Sequence, residues 1–287
     1  MTAILKHELR SYFHSLTAYV FGAFLLAFVG IGAMLYNLQM AVSNFEYVFT
    51  FSSLIFVVIV PILTMRTVAE ERKQKTDTLL YSLPITTVQV ILGKYLALLI
   101  LYLIPLAVIA IYPLIFAQFG EVYLLTSYGS ILGFFLLGAA LIAVGIFLSS
   151  LTENQGLAAG IGIAVILLNY YSVSLSEYVS ATALGSVIAL VVVFLLLGLL
   201  IRHLTQNGNL AYWVSFVLIA ATVALYVVDS SAFEGLLPKI MEQLSLFERF
   251  SVIVYGVFDM TTVVYDLSVA AFFLFLAVQS LEKRRYN

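Results

Sequence analysis

Eight long apolar runs divide this 287-residue chain, and they constrain it more than any other feature. They span roughly Leu16–Tyr36, Phe49–Met65, Tyr95–Phe116, Ser130–Leu151, Gly156–Ser172, Ala183–Ile201, Ala211–Val228 and Val263–Leu281. A helix needs about 20 mostly apolar residues to cross the hydrocarbon core of a bilayer, and the second, fifth and seventh runs fall short of that. Hydrophobic residues make up 63% of the chain and charged residues 10%, against about 45–50% and 25% in a soluble domain. Lipid must therefore be the solvent for most of the surface. The runs lack the ten-residue alternating segments of a membrane barrel. The expected fold is all-α, a polytopic transmembrane helix bundle of about eight spans forming one transmembrane domain over residues 1-287.

The basic residues give this bundle an orientation, because Lys and Arg concentrate in cytoplasmic loops. With eight spans, one side carries Lys6, Arg10, Arg66, Arg72, Lys73, Lys75, Lys94, Arg202, Lys283, Arg284 and Arg285, and the other only Lys239 and Arg249. Eleven against two predicts a multi-pass protein of the cell (plasma) membrane with both termini cytoplasmic. The outer face collects acids, among them Glu46, Glu121, Glu177, Asp229, Glu234, Glu242, Glu248 and Asp259. The first run, at 21 residues, exceeds a usual signal-peptide core and precedes no small-x-small site, which argues against a secretory signal.

Two flanking segments have helical periodicity. In ILKHELRSYFHSL (4–16), Ile4, Leu5, Leu9, Tyr12, Phe13 and Leu16 recur at three- and four-residue spacing, while Lys6, His7, Arg10 and His14 fill the other face. This predicts an amphipathic interfacial helix, with residues 1-15 forming an elbow into the first span; a flank that merely obeys the basic bias is the plainer alternative. In the extracytoplasmic segment 230-260, Leu236, Leu237, Ile240, Met241, Leu244 and Phe247 repeat that spacing within 234–249, which predicts an amphipathic helix on the outer surface or dipping into it; a non-specific cap over the bundle is the plainer alternative.

The densest charge cluster lies between two of the runs. Residues 65–94 hold Arg66, Glu70, Glu71, Arg72, Lys73, Lys75, Asp77 and Lys94. Centring each of these Lys and Arg in the bilayer would cost about 2.5–3.5 kcal/mol, so the loop stays in water. Thr67 to Lys75 contains no helix breaker, Leu79, Leu80 and Leu83 form an apolar patch, and Pro84 stops the helix at or before Leu83. A second helix starts near Thr86–Thr87 and leads through Gly93 and Lys94 into the third span. A short helix bearing both signs of charge beside leucines suits docking to a soluble protein. The alternative is a loop that only fixes topology, although topology does not require the two acids.

Several chemistries lack their motifs. There is no phosphate-binding G-x-x-x-x-G-K-[ST] and no H-E-x-x-H, and His7, His14 and His203 stand singly near span ends. The absence of cysteine removes disulfides, thiolate metal sites and thiol nucleophiles. A net charge of −2 with no basic stripe argues against nucleic acid. Few ionisable residues enter the runs. Asp266 is the main candidate, within about a turn of the outer boundary and in reach of water, and this scarcity argues against an ion-coupled carrier. Pro105 and Pro113 should bend the third span. Thr152 is placed to N-cap the helix after the fourth span, with Gln155 completing a capping box.

The run RTVAEERKQKTDTLLYSLPITTVQVILGKYLALL (66–99) resembles the segment between the second and third spans of type-2 ABC transporter permeases, most nearly the gliding-motility-associated branch. Glu70, Glu71, Arg72, Thr76, Leu79, Leu80, Pro84, Gly93 and Lys94 match the family pattern, whereas Lys75 and Thr78 stand where Gly and Glu are common. SSLTENQGLAAG (149–160) resembles the family's turn between the fourth and fifth spans, and residues 247–285 resemble its outer segment, last span and basic tail. The family core has six spans, so the hairpin 183-228 is an addition that the resemblance does not explain.

The resemblance implies a membrane-spanning permease subunit of an ATP-driven exporter. It implies partner contacts at Arg66, Glu70, Glu71, Arg72, Lys73, Thr76, Asp77, Pro84 and Lys94 in a 66-94 coupling segment. The interfacial helix with Lys6 and Arg10 would share that grip on the partner, and Thr152, Glu153 and Gln155 would form the family's cytoplasmic turn. Its partners would be an ABC ATP-binding subunit, which holds the ATP and Mg, a second permease copy or paralogue, an extracytoplasmic auxiliary protein and membrane lipid. This chain would bind no cofactor and catalyse nothing. The competing reading is a polytopic membrane enzyme acting on lipid, with Glu177, Asp229, Asp259 and Asp266 gathered outside.

Overall fold

A computed structural model describes residues 2–75, 85–205, 207–256 and 259–286. All regular structure among them is helical. In chain order the helices are α1 Thr2–His14, α2 Leu16–Ala33 (continued by a π-helical turn, Met34–Gln39), α3 Glu46–Ser53, α4 Phe56–Thr64 and α5 Ala69–Lys73. They continue as α6 Thr87–Ile109, α7 Tyr112–Phe116, α8 Leu124–Leu151, α9 Gln155–Tyr170, α10 Ser172–Ser176, α11 Ala183–Thr205 and α12 Gly208–Val228. A 3₁₀ turn at Ser231–Phe233 leads to α13 Leu236–Leu244, α14 Leu246–Val254 and α15 Met260–Tyr286. Each predicted apolar run is helical. Five helices among the described residues are long and apolar enough to cross a membrane, or six if the pair Glu46–Ser53 and Phe56–Lys73, bent by 61°, is one span. Gln155–Tyr170 and Ala183–Leu199 are shorter apolar helices.

The residues group into two compact units, Met1–Leu168 with Arg249–Arg285, and Asn169–Glu248 with the last two residues. In the first, α8 is the axis, 89% buried along its apolar window. Small residues let neighbours close on it. Gly138 lies under the Tyr102 ring, whose hydroxyl donates to the Phe134 carbonyl at 2.7 Å, and Gly145 accommodates Thr64. Phe134 is also the hub of an aromatic cluster, with ring centroids 4.5 Å from Phe56 and 4.9 Å from Phe49. Offset and edge-on contacts of this kind stabilise a core beyond the area they bury.

The second unit contains the predicted extra hairpin, as α11 and α12. Gly198 lets Ser215 approach, and the Ser215 hydroxyl donates to the Phe194 carbonyl at 3.1 Å. The predicted outer helix is broken in two. Ser245 ends α13, and its hydroxyl accepts from Glu248 N at 3.2 Å, so it caps α14. Asn169 stabilises the break by donating to the Leu244 carbonyl (3.0 Å) and accepting from Leu246 N (3.1 Å). Periodicity runs through this point because the apolar spacing continues, but serine at a cap competes with helix continuation.

Other expectations also change. Pro105 sits inside an unbroken α6, whereas the helix is interrupted at Ala110–Ile111, ahead of Pro113. Proline tolerates the first turn of a new helix, as in α7, better than the interior of an old one. Asp266 does not reach water. It is 2% exposed, and neither carboxylate oxygen has a hydrogen-bond partner among the described residues. Because α15 begins at Met260, Asp266 lies almost two turns inside the helix. Glu46, expected on the outer surface, is likewise buried at the start of α3.

Candidate functional site

One end of the first unit gathers α1, the Arg66–Lys75 segment, the start of α6 and the ends of α8 and α15. The α1 helix forms as its periodicity predicts, and Ser15 then turns the chain into α2. It lies close against α6 because residue 93 is glycine: a Cβ there would come within 2.9 Å of Ile4 Cγ2. The α6 helix starts with a complete capping box, in which Thr86 Oγ1 accepts from Gln89 N and the Gln89 side chain accepts from Thr86 N. Thr87 then donates to Glu282 of α15 at 2.7 Å, and Ser280 donates to the Ser150 carbonyl of α8 at 3.0 Å.

The centre of this region is Lys94. Its side chain is 2% exposed, and Nζ donates to Glu8 at 2.7 Å and to Glu71 at 2.6 Å. One ammonium therefore joins α1, α5 and α6. A buried ammonium is costly unless paired and hydrogen-bonded, and here two carboxylates from different helices meet it. Tyr12 packs beside them, and burial pushes its phenol well above the usual value, with the Glu8 and Glu71 charges adding to the shift, so it stays neutral.

The short helix α5 is held from outside itself. Ser149 of α8 places its hydroxyl on the two amides at the start of α5, accepting from Val68 N at 3.2 Å and Ala69 N at 3.1 Å, and donates to the Met65 carbonyl at 3.1 Å. At five residues α5 is shorter than expected: Gln74 is its C-cap, and Lys75 follows with φ at +57°. Arg66 joins its guanidinium to Glu70 at 2.9 and 3.3 Å and to Thr17 Oγ1 of α2 at 3.1 Å.

Of the predicted contact residues, Glu71, Arg72 and Lys94 thus turn inward, and Arg66 and Glu70 pair with each other on a half-exposed rim. Lys6, Arg10 and Lys73 are exposed. Thr76, Asp77 and Pro84, with Leu79, Leu80 and Leu83, lie outside the described residues. Thr152 ends α8 instead of starting α9: its hydroxyl accepts from Asn154 N at 3.1 Å, and Asn154 caps α9 by accepting from Gly156 N at 2.9 Å. Asparagine outranks threonine as an N-cap, so the helix starts two residues later than the serine/threonine pattern suggests. Gln155 becomes the first residue of α9, and Glu153 is exposed in the turn.

Sequence reasoning missed Glu8 and Ser149. The signal for Glu8 was available, since it stands four residues from both Ile4 and Tyr12, on the apolar face of α1. Ser149 left none, being one of many small residues in an apolar run. Of the acids of the competing enzymatic reading, Asp229 and Asp259 are engaged locally. Asp229 accepts from the Ser231 hydroxyl at 2.6 Å, which holds its carboxyl below the usual range, and Asp259 is lowered likewise by Thr261 N at 2.9 Å.

Between α1, α5 and α6 a cavity of about 730 Å³ opens, lined by Glu8, Glu70, Glu71, Arg66 and Lys94 beside Ile4, Tyr12 and Val90. An all-helical bundle of apolar spans with ion-paired helices collected at one end is a multi-pass membrane protein. The sequence pattern of the ABC-2 family transporter proteins matches residues 35–278, and the chain belongs to that family. It is therefore the permease type of subunit of an ABC transporter, a type that pairs with an ATP-binding subunit. Comparison with curated proteins and with solved structures gives no match.

Proposed function

We propose that the gathered end described above is cytoplasmic and receives an ATP-binding subunit, so that ATP hydrolysis in that partner drives export through a pair of permease subunits. The observation that carries this reading is the Glu8–Lys94–Glu71 ion triad. A push on either surface element, α1 or α5, passes through a buried ammonium directly to α6, an apolar helix of span length. Coupling of this kind needs a contiguous physical connection between the contact and the moving element, and a two-sided ion pair supplies one. The inward pairing of Glu71 and Lys94 shifts the expected docking charges to Lys6 and Arg10 on α1 and Lys73 on α5, which are exposed. The likeness of residues 66–99 to the gliding-motility-associated permeases supports a place near that branch.

The test is a triple charge reversal, Lys6→Glu with Arg10→Glu and Lys73→Glu, co-expressed with its ATP-binding subunit. Removing three of the eleven basic residues on that side still leaves a strong bias, so insertion should survive. The expected outcome is normal membrane yield, with co-purification and permease-dependent ATPase stimulation both reduced by about tenfold or more, since exchanging attraction for repulsion at a contact costs several kcal/mol. Wild-type recovery and stimulation would end this reading of α1 and α5.

A further inference from the structure

The cavity at the gathered end is lined by charges of both signs, and it opens where the amphipathic α1 gives way to the first span. Its wall includes Ser15 and Thr17, where α1 gives way to the first span, and Val90 in the first turn of α6. Beside that elbow, Phe13 and Tyr19 stay exposed and meet edge to face at 6.4 Å. Aromatic side chains of this kind collect at the membrane–water interface.

Hydrogen-bonding capacity is left over on the wall. Among the described residues, the bonds of Arg66 use three of the five N–H groups of its guanidinium, and Lys94 directs its ammonium to two carboxylates, leaving a third N–H. Glu8 meets Lys94 through one oxygen, which leaves its other oxygen as an acceptor. Glu8 and Lys94 are both more than nine-tenths buried. Spare donors suit a phosphodiester and the spare acceptor suits a primary ammonium. The apolar wall at Ile4, Tyr12 and Val90 suits the glycerol and upper acyl carbons. At about 730 Å³ the cavity falls within the usual range for small-molecule sites, roughly 300–1,000 Å³.

We propose that this cavity binds the headgroup of a zwitterionic, primary-amine phospholipid of the phosphatidylethanolamine type, its phosphate toward Arg66 and Lys94 and its ammonium toward Glu8. A choline headgroup carries the same charges but has no N–H to give a carboxylate, and a glycerol headgroup has no cation. The inference is independent of the ATP-binding partner, because the site is complete within this chain.

The experiment is native mass spectrometry of the full-length protein released from nanodiscs of phosphatidylethanolamine, phosphatidylcholine or phosphatidylglycerol, counting retained lipid. The choline and glycerol lipids cannot make the charge-assisted hydrogen bond to Glu8, so wild type should retain the ethanolamine lipid about tenfold better than either other lipid. Two variants locate the lipid. Arg66→Gln with Glu70→Gln removes the rim pair and leaves the buried triad, and Ser11→Phe fills the cavity without touching a charge. Each should abolish the preference. Equal retention of the three lipids by wild type would overturn the proposal, as would a preference that survives both variants. So would a peptide of a partner protein found crosslinked from Ser15 in place of lipid.

Discussion

Lys94 holds a positive charge where water cannot reach it, and Glu8 and Glu71 are the reason that it can. Removing one member of such a group leaves an uncompensated buried charge, which costs about 3–5 kcal/mol, whereas replacing the whole group by apolar residues is often neutral. Lys94→Met is therefore expected to lower the thermal unfolding temperature of the detergent-solubilised protein markedly. Combining it with Glu8→Leu and Glu71→Leu should restore most of the loss. A single variant as stable as wild type would show that the triad is not a structural clasp. Ser149 tests the same region through hydrogen bonding alone. Ser149→Ala strips the acceptor from Val68 N and Ala69 N, at about 1–3 kcal/mol for unsatisfied buried donors. The amides of α5 should then exchange faster by hydrogen–deuterium exchange while those of α8 stay protected. Neither residue's role shows in its sequence neighbourhood, because each acts on a partner distant in the chain.

Helix existence was legible from run length alone, and helix ends were not. Every predicted apolar run is helical, although the second and third are each broken in two, and α1 follows the three- and four-residue spacing from which it was expected. Caps, breaks and bends depend on single hydrogen bonds that compete with helix continuation. At the turn between α8 and α9 the competition has a direct test. Asn154→Ala should destabilise the protein by about 1 kcal/mol, as for a lost N-cap, and Thr152→Ala by clearly less, since Thr152 only bonds Asn154 N. Parallel chemical denaturation of the two variants decides it, and the reverse order would return the cap to Thr152. The break at Ser245 follows the same logic, with Asn169 supplying bonds that no local pattern announces.

For the whole molecule, eleven basic residues on one side against two on the other predict the orientation. The chain contains no cysteine, so single replacements report without background. Lys75→Cys should be labelled only after the membrane is opened, and Lys239→Cys should be labelled in intact cells. Both positions are exposed. Labelling of Lys75→Cys from outside would invert the orientation, and with it the cytoplasmic reading of the gathered end.

The sequence by itself determined that the chain lives in a membrane, that it is helical and where its charge concentrates. These follow from solvation, which acts on each stretch separately: apolar runs leave water and charged runs stay in it. Its membership of the ABC-2 family could also be approached from one charged loop, because that loop keeps its pattern in a continuous stretch. Tertiary structure alone decided which of those charges face outward and which are spent on one another. Glu71 and Lys94 were expected at a docking surface, yet they meet Glu8 inside the bundle. Pairing depends on distances between residues 23 and 86 positions apart, and only the packing of α1 on α6, permitted by a glycine at position 93, makes those distances short.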